Sequence, residues 1–374
     1  MRAWLKTQRI EEIIDFGDLP VFESATTYPC IIRIGTGDPH EQFAVVQMDS
    51  LDYPDLTEYA KARAYPVDVA SLDDGGWSLT DAKTQALLTK LNAAGVPLGT
   101  YVDGEIYYGI KTGLNQAFVI DEGTKERLIA EDPKSAEIIK PFLAGRDIKR
   151  YLSPNPTRYL ILFEKGWTNL HSGNAPDKWE WLQSTYPAIT SHLEPFTEQG
   201  EKRCDQGDYW WELRACGYYQ EFEKPKLIFL VFQVKPAFTY DEFGTYYSNN
   251  ATYIIPELDF YFLGLLNSKL GFFLISNYCT QIQNGYQLIY QYFGRIPIHE
   301  INPSNPKDVT YHDQIVSLVE RVVAMKKSLA EGVSPEEKSR LETACAKADA
   351  EIDQIVYSLY GLTEEEIAIV EGTG

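Results

Sequence analysis

Residues 107–121 read YYGIKTGLNQAFVID, with two glycines, a lysine, a threonine and an asparagine set between two runs of strand-forming residues. A phosphate-binding loop ends in Gly-Lys-Ser/Thr and opens a helix whose backbone N–H groups hold the anion. Here Lys111 and Thr112 precede Gly113, and Phe118, Val119 and Ile120 read as a strand, so no helix N-terminus is expected to face a phosphate. The stretch is expected to turn as a hairpin. Gly109 and Gly113 allow positive φ, and Tyr107, Tyr108, Phe118 and Val119 would pair across it.

Working outward, the pattern from 101 to about 300 is mixed. Strands are expected at EIYYGI, AFVID, RYLILF, PKLIFLVF and ATYIIP, and helices at SAEIIKPFL, KWEWLQSTYPAITSHL and DFYFLGLLNSKLGFFLISNY. An α+β domain results. The aromatic run GDYWWELRACGYYQEF (207–222) is expected to serve core and rim packing before any stacking on bases.

Toward the N-terminus, RIEEIIDF reads as a short helix running into a strand, Gly17-Asp18 as a turn, and PCIIRIG and FAVVQM as two strands joined by TGDPHEQ. So little sequence cannot cover both faces of a sheet, and residues 1–50 are expected to be the end of a domain. Residues 51–100 read as an acidic linker and a helix, capped by Thr80 or Ser78, with Leu87, Leu88 and Leu91 on one face and Gly95 at its end. Residues 307–374 change character. Ile315, Leu318, Val322, Met325 and Leu329 recur at helical spacing, Gly332 breaks it, Ser334 to Glu337 form a capping box, and Leu341, Cys345, Ala348, Ile352, Ile355 and Leu359 resume it. That is an antiparallel helical hairpin, followed by one short helix capped at Thr363 to Glu366.

The 374 residues carry 34 basic and 54 acidic side chains, a net charge of −20 that opposes casual binding to a polyanion. The charge is uneven. Residues 1–100 hold 8 basic and 15 acidic groups and residues 307–374 hold 7 and 14, whereas 140–235 hold 13 and 12. A basic face is therefore expected within that neutral stretch. The cysteines at 30, 204, 216, 279 and 345 form no CxxC pair, and the histidines show no HxH or HExxH spacing, so neither disulfide nor metal site is proposed. No apolar run suits a membrane span and no secretory signal is evident, which makes the cytoplasm the expected location.

Several short motifs then occur in a telling order: GIKTGLNQAFVI, IIKPFLAGRDIKRY, DQGDYWWELR, FEKPKLIF, LLNSKLGFF and RIPI. Together they resemble the target-recognition region of TaqI-like, type IIG restriction–modification methylases and of related phage-defence adenine methylases. IIDFGDLPVFESATTYPCIIRI resembles the last strands of that family's methyltransferase domain, and the terminal hairpin is similar to the helical spacers shared with type I specificity subunits. The resemblance implies a mixed-sheet target-recognition domain at 101–306, preceded by the tail of an α/β methyltransferase domain and followed by a helical spacer. It implies double-stranded DNA as partner, together with a methyltransferase domain or subunit that uses S-adenosylmethionine, and Mg²⁺ if the intact protein also cleaves.

The departure from the family is equally specific. Adenine methylation of a flipped base needs an Asn/Asp-Pro-Pro-Tyr/Phe motif. This chain contains no Pro-Pro pair, and NPT at 155 and NPS at 302 lack both the second proline and the ring. The intact protein is thus expected to be an adenine-specific methyltransferase, and this chain to be inactive alone. Asp205, Asp208 and Glu212 could be read as Mg²⁺ ligands of a nuclease, but Arg214 stands where such sites place a lysine, and solvated acids flanking a Gly turn are the expectation. The residues expected to touch DNA are Lys111, Thr112 and Asn115 on the 107–121 turn, Arg146 and Lys149 in AGRDIKR, and Arg203, Trp211, Arg214 and Lys226 in the neutral stretch. Arg146 could equally pair with Asp147. The competing reading is an assembly subunit that uses its acidic flanks and hairpin and does not contact DNA.

Overall fold

The computed structural model describes residues 1–22, 27–72, 77, 79–282 and 284–373. It is a mixed α+β fold of several small sheets with helices gathered at the C-terminal end.

The first sheet orders its strands as Cys30–Gly35, Arg9–Asp15, Gln42–Gln47 and Tyr65–Asp68. RIEEIIDF is strand for nearly its whole length, and the helix expected there is instead the single turn Arg2–Leu5. Ile13 and Ile14 point to opposite faces, Ile13 packing with Phe43 and Val45 and Ile14 with Val46 and Met48. Adjacent isoleucines can both be buried only in a strand covered on both sides. PCIIRIG and FAVVQM do not pair with each other, because Arg9–Asp15 lies between them, antiparallel to the first and parallel to the second.

Helix Ala82–Ala94 buries Leu87, Leu88 and Leu91 and ends at Gly95, as its pattern implies. Its cap is Asp81, whose carboxylate accepts the N–H groups of Lys83 (2.9 Å) and Thr84 (3.1 Å). Thr80 lies one residue too early, and Ser78 is outside the described residues.

The hairpin expected at 107–121 does not form. Tyr107–Tyr108 pairs with Thr252–Pro256, whereas Val119–Asp121 pairs with Arg158–Ile161 in another sheet. The stretch crosses between sheets, with one helical turn at Asn115–Phe118. Burial decides this, because Ile110, Ala117 and Phe118 all enter one core. Gly109 permits a backbone approach that no side chain would allow, since a Cβ there would stand 1.9 Å from the Asn249 carbonyl oxygen. SAEIIKPFL is likewise not a helix. After a 3₁₀ turn at Pro133–Glu137 it becomes the strand Ile139–Leu143, and Pro141 within it would break any helix.

The sheet Phe238–Asp241, Lys226–Leu230, Thr252–Pro256 and Tyr107–Tyr108 is antiparallel throughout and forms a wall between two cores. Leu227 and Phe229 face one core and Ile228 the other, the period-2 alternation of a sheet buried on both sides. The larger core takes in helices Phe260–Asn267 and Lys269–Tyr278, separated by Ser268, whose Oγ accepts the Gly271 N–H. It also takes in the terminal hairpin, Pro306–Glu331 and Pro335–Leu359, joined through Gly332 at φ 92° and the Ser334 cap. A short helix, Glu364–Val370, follows with the expected capping box of Thr363 and Glu366. The hairpin seats closely against Gly264, where a Cβ would lie 2.6 Å from Ile315 Cγ2 and 2.9 Å from Val319 Cγ2.

Candidate nucleic-acid interface

Two buried charges build the loop that follows helix Thr197–Lys202. Arg203 is 8% exposed and lies over the Phe118 ring. It donates to the carbonyls of Thr112, Trp210 (2.8 Å) and Glu212, tying the 112–113 turn to the loop. Burial lowers its pKa to about 10, so it remains charged at neutral pH. Glu212 is fully buried, and its carboxylate accepts the N–H groups of Gly166 (3.0 Å), Thr168 (2.9 Å) and Asp208 (2.9 Å). A carboxylate among aromatic rings must be satisfied this way or neutralised. Trp211 is buried beside it, with Nε1 donating to Thr168 Oγ1 at 2.9 Å.

On this frame Asp205 stands between two cations. Lys111 Nζ is 2.9 Å from one carboxylate oxygen and Arg214 Nη1 is 3.7 Å from the other. The Lys111 hydrogen bond, followed by the charges of Lys111, Arg214 and Arg203, holds the Asp205 carboxyl below the usual range despite some desolvation. Gly113, at φ 70°, lets the turn lie against Asp205, where a Cβ would be 3.0 Å from the aspartate Cβ. Lys111 and Arg214 thus come from positions 103 residues apart to one place on the surface.

The other expected DNA contacts divide. Arg146, with a 73% exposed side chain on the turn Gly145–Asp147, pairs loosely with Asp147 at 3.9 Å, and Lys149, just past that turn, is exposed too. Asn115 is exposed, and its Oδ1 accepts the Thr112 hydroxyl at 2.6 Å. Thr112 itself is buried and shapes the turn from within. Thr112, Arg203, Trp211 and Lys226, all expected on the DNA face, are instead interior groups. Lys226 is fully buried, 2.5 Å from Asp241 and 2.6 Å from the Phe222 carbonyl, because its strand is covered on both faces. The three acids do not gather as metal ligands, since Glu212 faces inward onto backbone amides, and no metal-holding group of His, Cys, Asp or Glu exists among the described residues.

The sequence reading overlooked Lys165, Asn169 and Tyr209, which meet Asp208 at the tip of the same loop. Lys165 Nζ is 3.7 Å from Asp208, Asn169 donates to it at 3.2 Å, and the Tyr209 hydroxyl donates to Asn169 at 2.7 Å. The available signal was Glu212 itself, an acid inside YWWELR that must find distant donors.

Residues 140–298 match the family model of the TaqI-like C-terminal specificity domain. No curated protein matches the chain. Among solved structures, the fold is similar to the type IIL restriction–modification enzyme MmeI in complex with DNA, at a TM-score of 0.59 and 14% identity, over 99% of this chain and 46% of that one. The type IIG restriction endonuclease BpuSI matches with a TM-score of 0.41 and 11% identity, over 96% of this chain and 45% of that one. The chain therefore spans less than half the length of either enzyme.

Proposed function

We propose that this chain, whose residues 140–298 match the TaqI-like C-terminal specificity domain, selects a sequence in double-stranded DNA for the adenine-specific methyltransferase of a restriction–modification or phage-defence system. The family match carries the reading. The geometry supports it, because a rigid loop brings Lys111 and Arg214 together in a region of balanced charge within an acidic protein. Lys111, Arg214, Arg146 and Lys149 are the groups assigned to phosphate, with Asn115 on the same stretch as Lys111.

The first sheet is read as the closing strands of the methyltransferase domain. In support, its outer strand exposes Ile31 (45%), Ile32 (38%) and Ile34 (44%), an edge that proteins normally cover. S-adenosylmethionine would bind the rest of that domain, and Mg²⁺ would be required only if the intact protein also cleaves. The chain alone should neither bind the cofactor nor methylate, and calorimetric titration would reveal saturable binding if it does.

Retention of duplexes from a randomised pool, measured against salt, tests the central claim. Binding should be modest and fall steeply with salt through counterion release. Lys111→Ala and Arg146→Ala should weaken all duplexes alike if these residues hold phosphate. A second reading, an assembly subunit without DNA contact, draws on the net charge of −20. It would replace the first if no duplex is retained at low salt.

A further inference from the structure

The loop tip forms a group of its own. Helix Trp167–Ser172 follows Gly166, and the Glu212 carboxylate takes the N–H groups of both Gly166 and Thr168, 46 and 44 residues away in sequence. Trp211 adds a hydrogen bond to Thr168, and Tyr209 lies flat on Trp211, with ring centroids 4.7 Å apart and planes at 9°. Helix and loop therefore form one rigid support. On its outer side Asn169 is exposed and Leu170 is 80% exposed.

The amide of Asn169 is fixed in orientation. Asp208 as a carboxylate can only accept, so the group facing it at 3.2 Å is the NH₂, while Oδ1 accepts from the Tyr209 hydroxyl at 2.7 Å. Lys165 holds the other Asp208 oxygen at 3.7 Å. These two contacts use one of the two amide N–H groups and one of the two oxygen lone pairs, which leaves one donor and one acceptor for a ligand. That pairing complements N6 and N7 of adenine in the major groove, and an apolar side chain beside it suits the methyl of the paired thymine. Pre-oriented side chains on a rigid element are what base discrimination requires.

We propose that Asn169 is a specificity-determining residue that reads an adenine, with Leu170 against the thymine partner and Asp208 as the positioning residue that keeps the amide from rotating. This rests on the DNA-recognition reading above. It assigns base readout to the loop tip and phosphate contact to the loop base, at Lys111 and Arg214.

The test is selection from a randomised duplex pool by the wild-type chain, Asn169→Ala and Asp208→Asn, with thermal midpoints checking that these exposed substitutions leave the fold intact. Asn169→Ala should lose about tenfold to hundredfold discrimination at a single A·T position and leave the other positions unchanged. Asp208→Asn, which frees the amide to rotate, should relax the same position to a smaller extent. The proposal is overturned if Asn169→Ala selects the wild-type sequence, if it weakens every position equally, or if the affected position is a G·C pair. Failure of the wild-type chain to retain any DNA instead overturns the recognition reading, and this inference with it.

Discussion

Asp205 controls how much positive charge the loop presents, because it occupies Lys111 and Arg214 in the absence of DNA. A phosphate must displace it to gain both cations. Asp205→Asn should therefore raise affinity for any duplex at low salt by roughly two- to fivefold, the worth of a partly exposed ion pair, as read by fluorescence anisotropy. Weaker binding would mean that Asp205 orders the loop more than it competes with DNA. Lys226 belongs to a different class of cation. Burial pushes its pKa down while the Asp241 carboxylate opposes that shift, and Asp241 also accepts the Tyr246 N–H at 2.8 Å. Lys226→Met would strand the carboxylate in the core and should cost about 3–5 kcal/mol in chemical denaturation. A loss below about 1 kcal/mol would argue that water reaches the pair. Lys226 was expected on the surface because it lies in the stretch of balanced charge, and nothing within FEKPKLIF reveals an aspartate fifteen residues on that will meet it.

The terminal hairpin was legible in its helices but not in its attachment. Its caps and apolar spacing are local features, and Asn305, Ser334 and Thr363 cap where their side chains can reach the first free N–H groups. Its seat on helix Phe260–Asn267 depends on Gly264, which only the assembled structure identifies as the contact point. Gly264→Ala should force Ile315 and Val319 aside and cost about 1–3 kcal/mol, visible as a lower thermal midpoint. Ile352, 1% exposed in the same contact, extends the test. Ile352→Asp should cost several kcal/mol, about 3 or more, whereas Glu351→Lys on the outer face should change little. Equal shifts for those two variants would mean that the hairpin packs by another face. Among the strands, RYLILF and ATYIIP were legible from β-branched and aromatic content. SAEIIKPFL and RIEEIIDF were misread because short apolar runs fit either period, and Pro141 and the paired isoleucines decide them.

Across the molecule, charge is both unevenly spread and locally paired. His312 links the hairpin to the domain beneath it, with Nε2 2.9 Å from Asp259 and Nδ1 3.0 Å from Asp313, and Asp259 itself caps helix Phe260–Asn267. Partial burial disfavours the charged ring, but the hydrogen bonds and charges of Asp313 and Asp259 outweigh it and raise the His312 pKa. A raised folded-state pKa adds stability that is complete below the ordinary histidine value of about 6.5 and is lost as pH rises through the folded value. Thermal midpoints of the wild type should therefore fall between about pH 6 and about pH 8 by more than those of His312→Gln. Parallel curves would show that the ring does not sense the two aspartates. What the sequence determined alone was the strands RYLILF and ATYIIP, the terminal hairpin with its Ser334 and Thr363 caps, and a family resemblance over most of residues 100–300, because each depends on neighbours a few residues apart or on motifs read in order. Tertiary structure decided which charges reach the surface. It turned Arg203, Trp211 and Lys226 inward, crossed 107–121 between two sheets, and joined Glu212 to Thr168 and Lys111 to Asp205 across long stretches of chain. A charged side chain is exposed or buried according to what the fold places around it, and that environment comes from residues far from it in sequence.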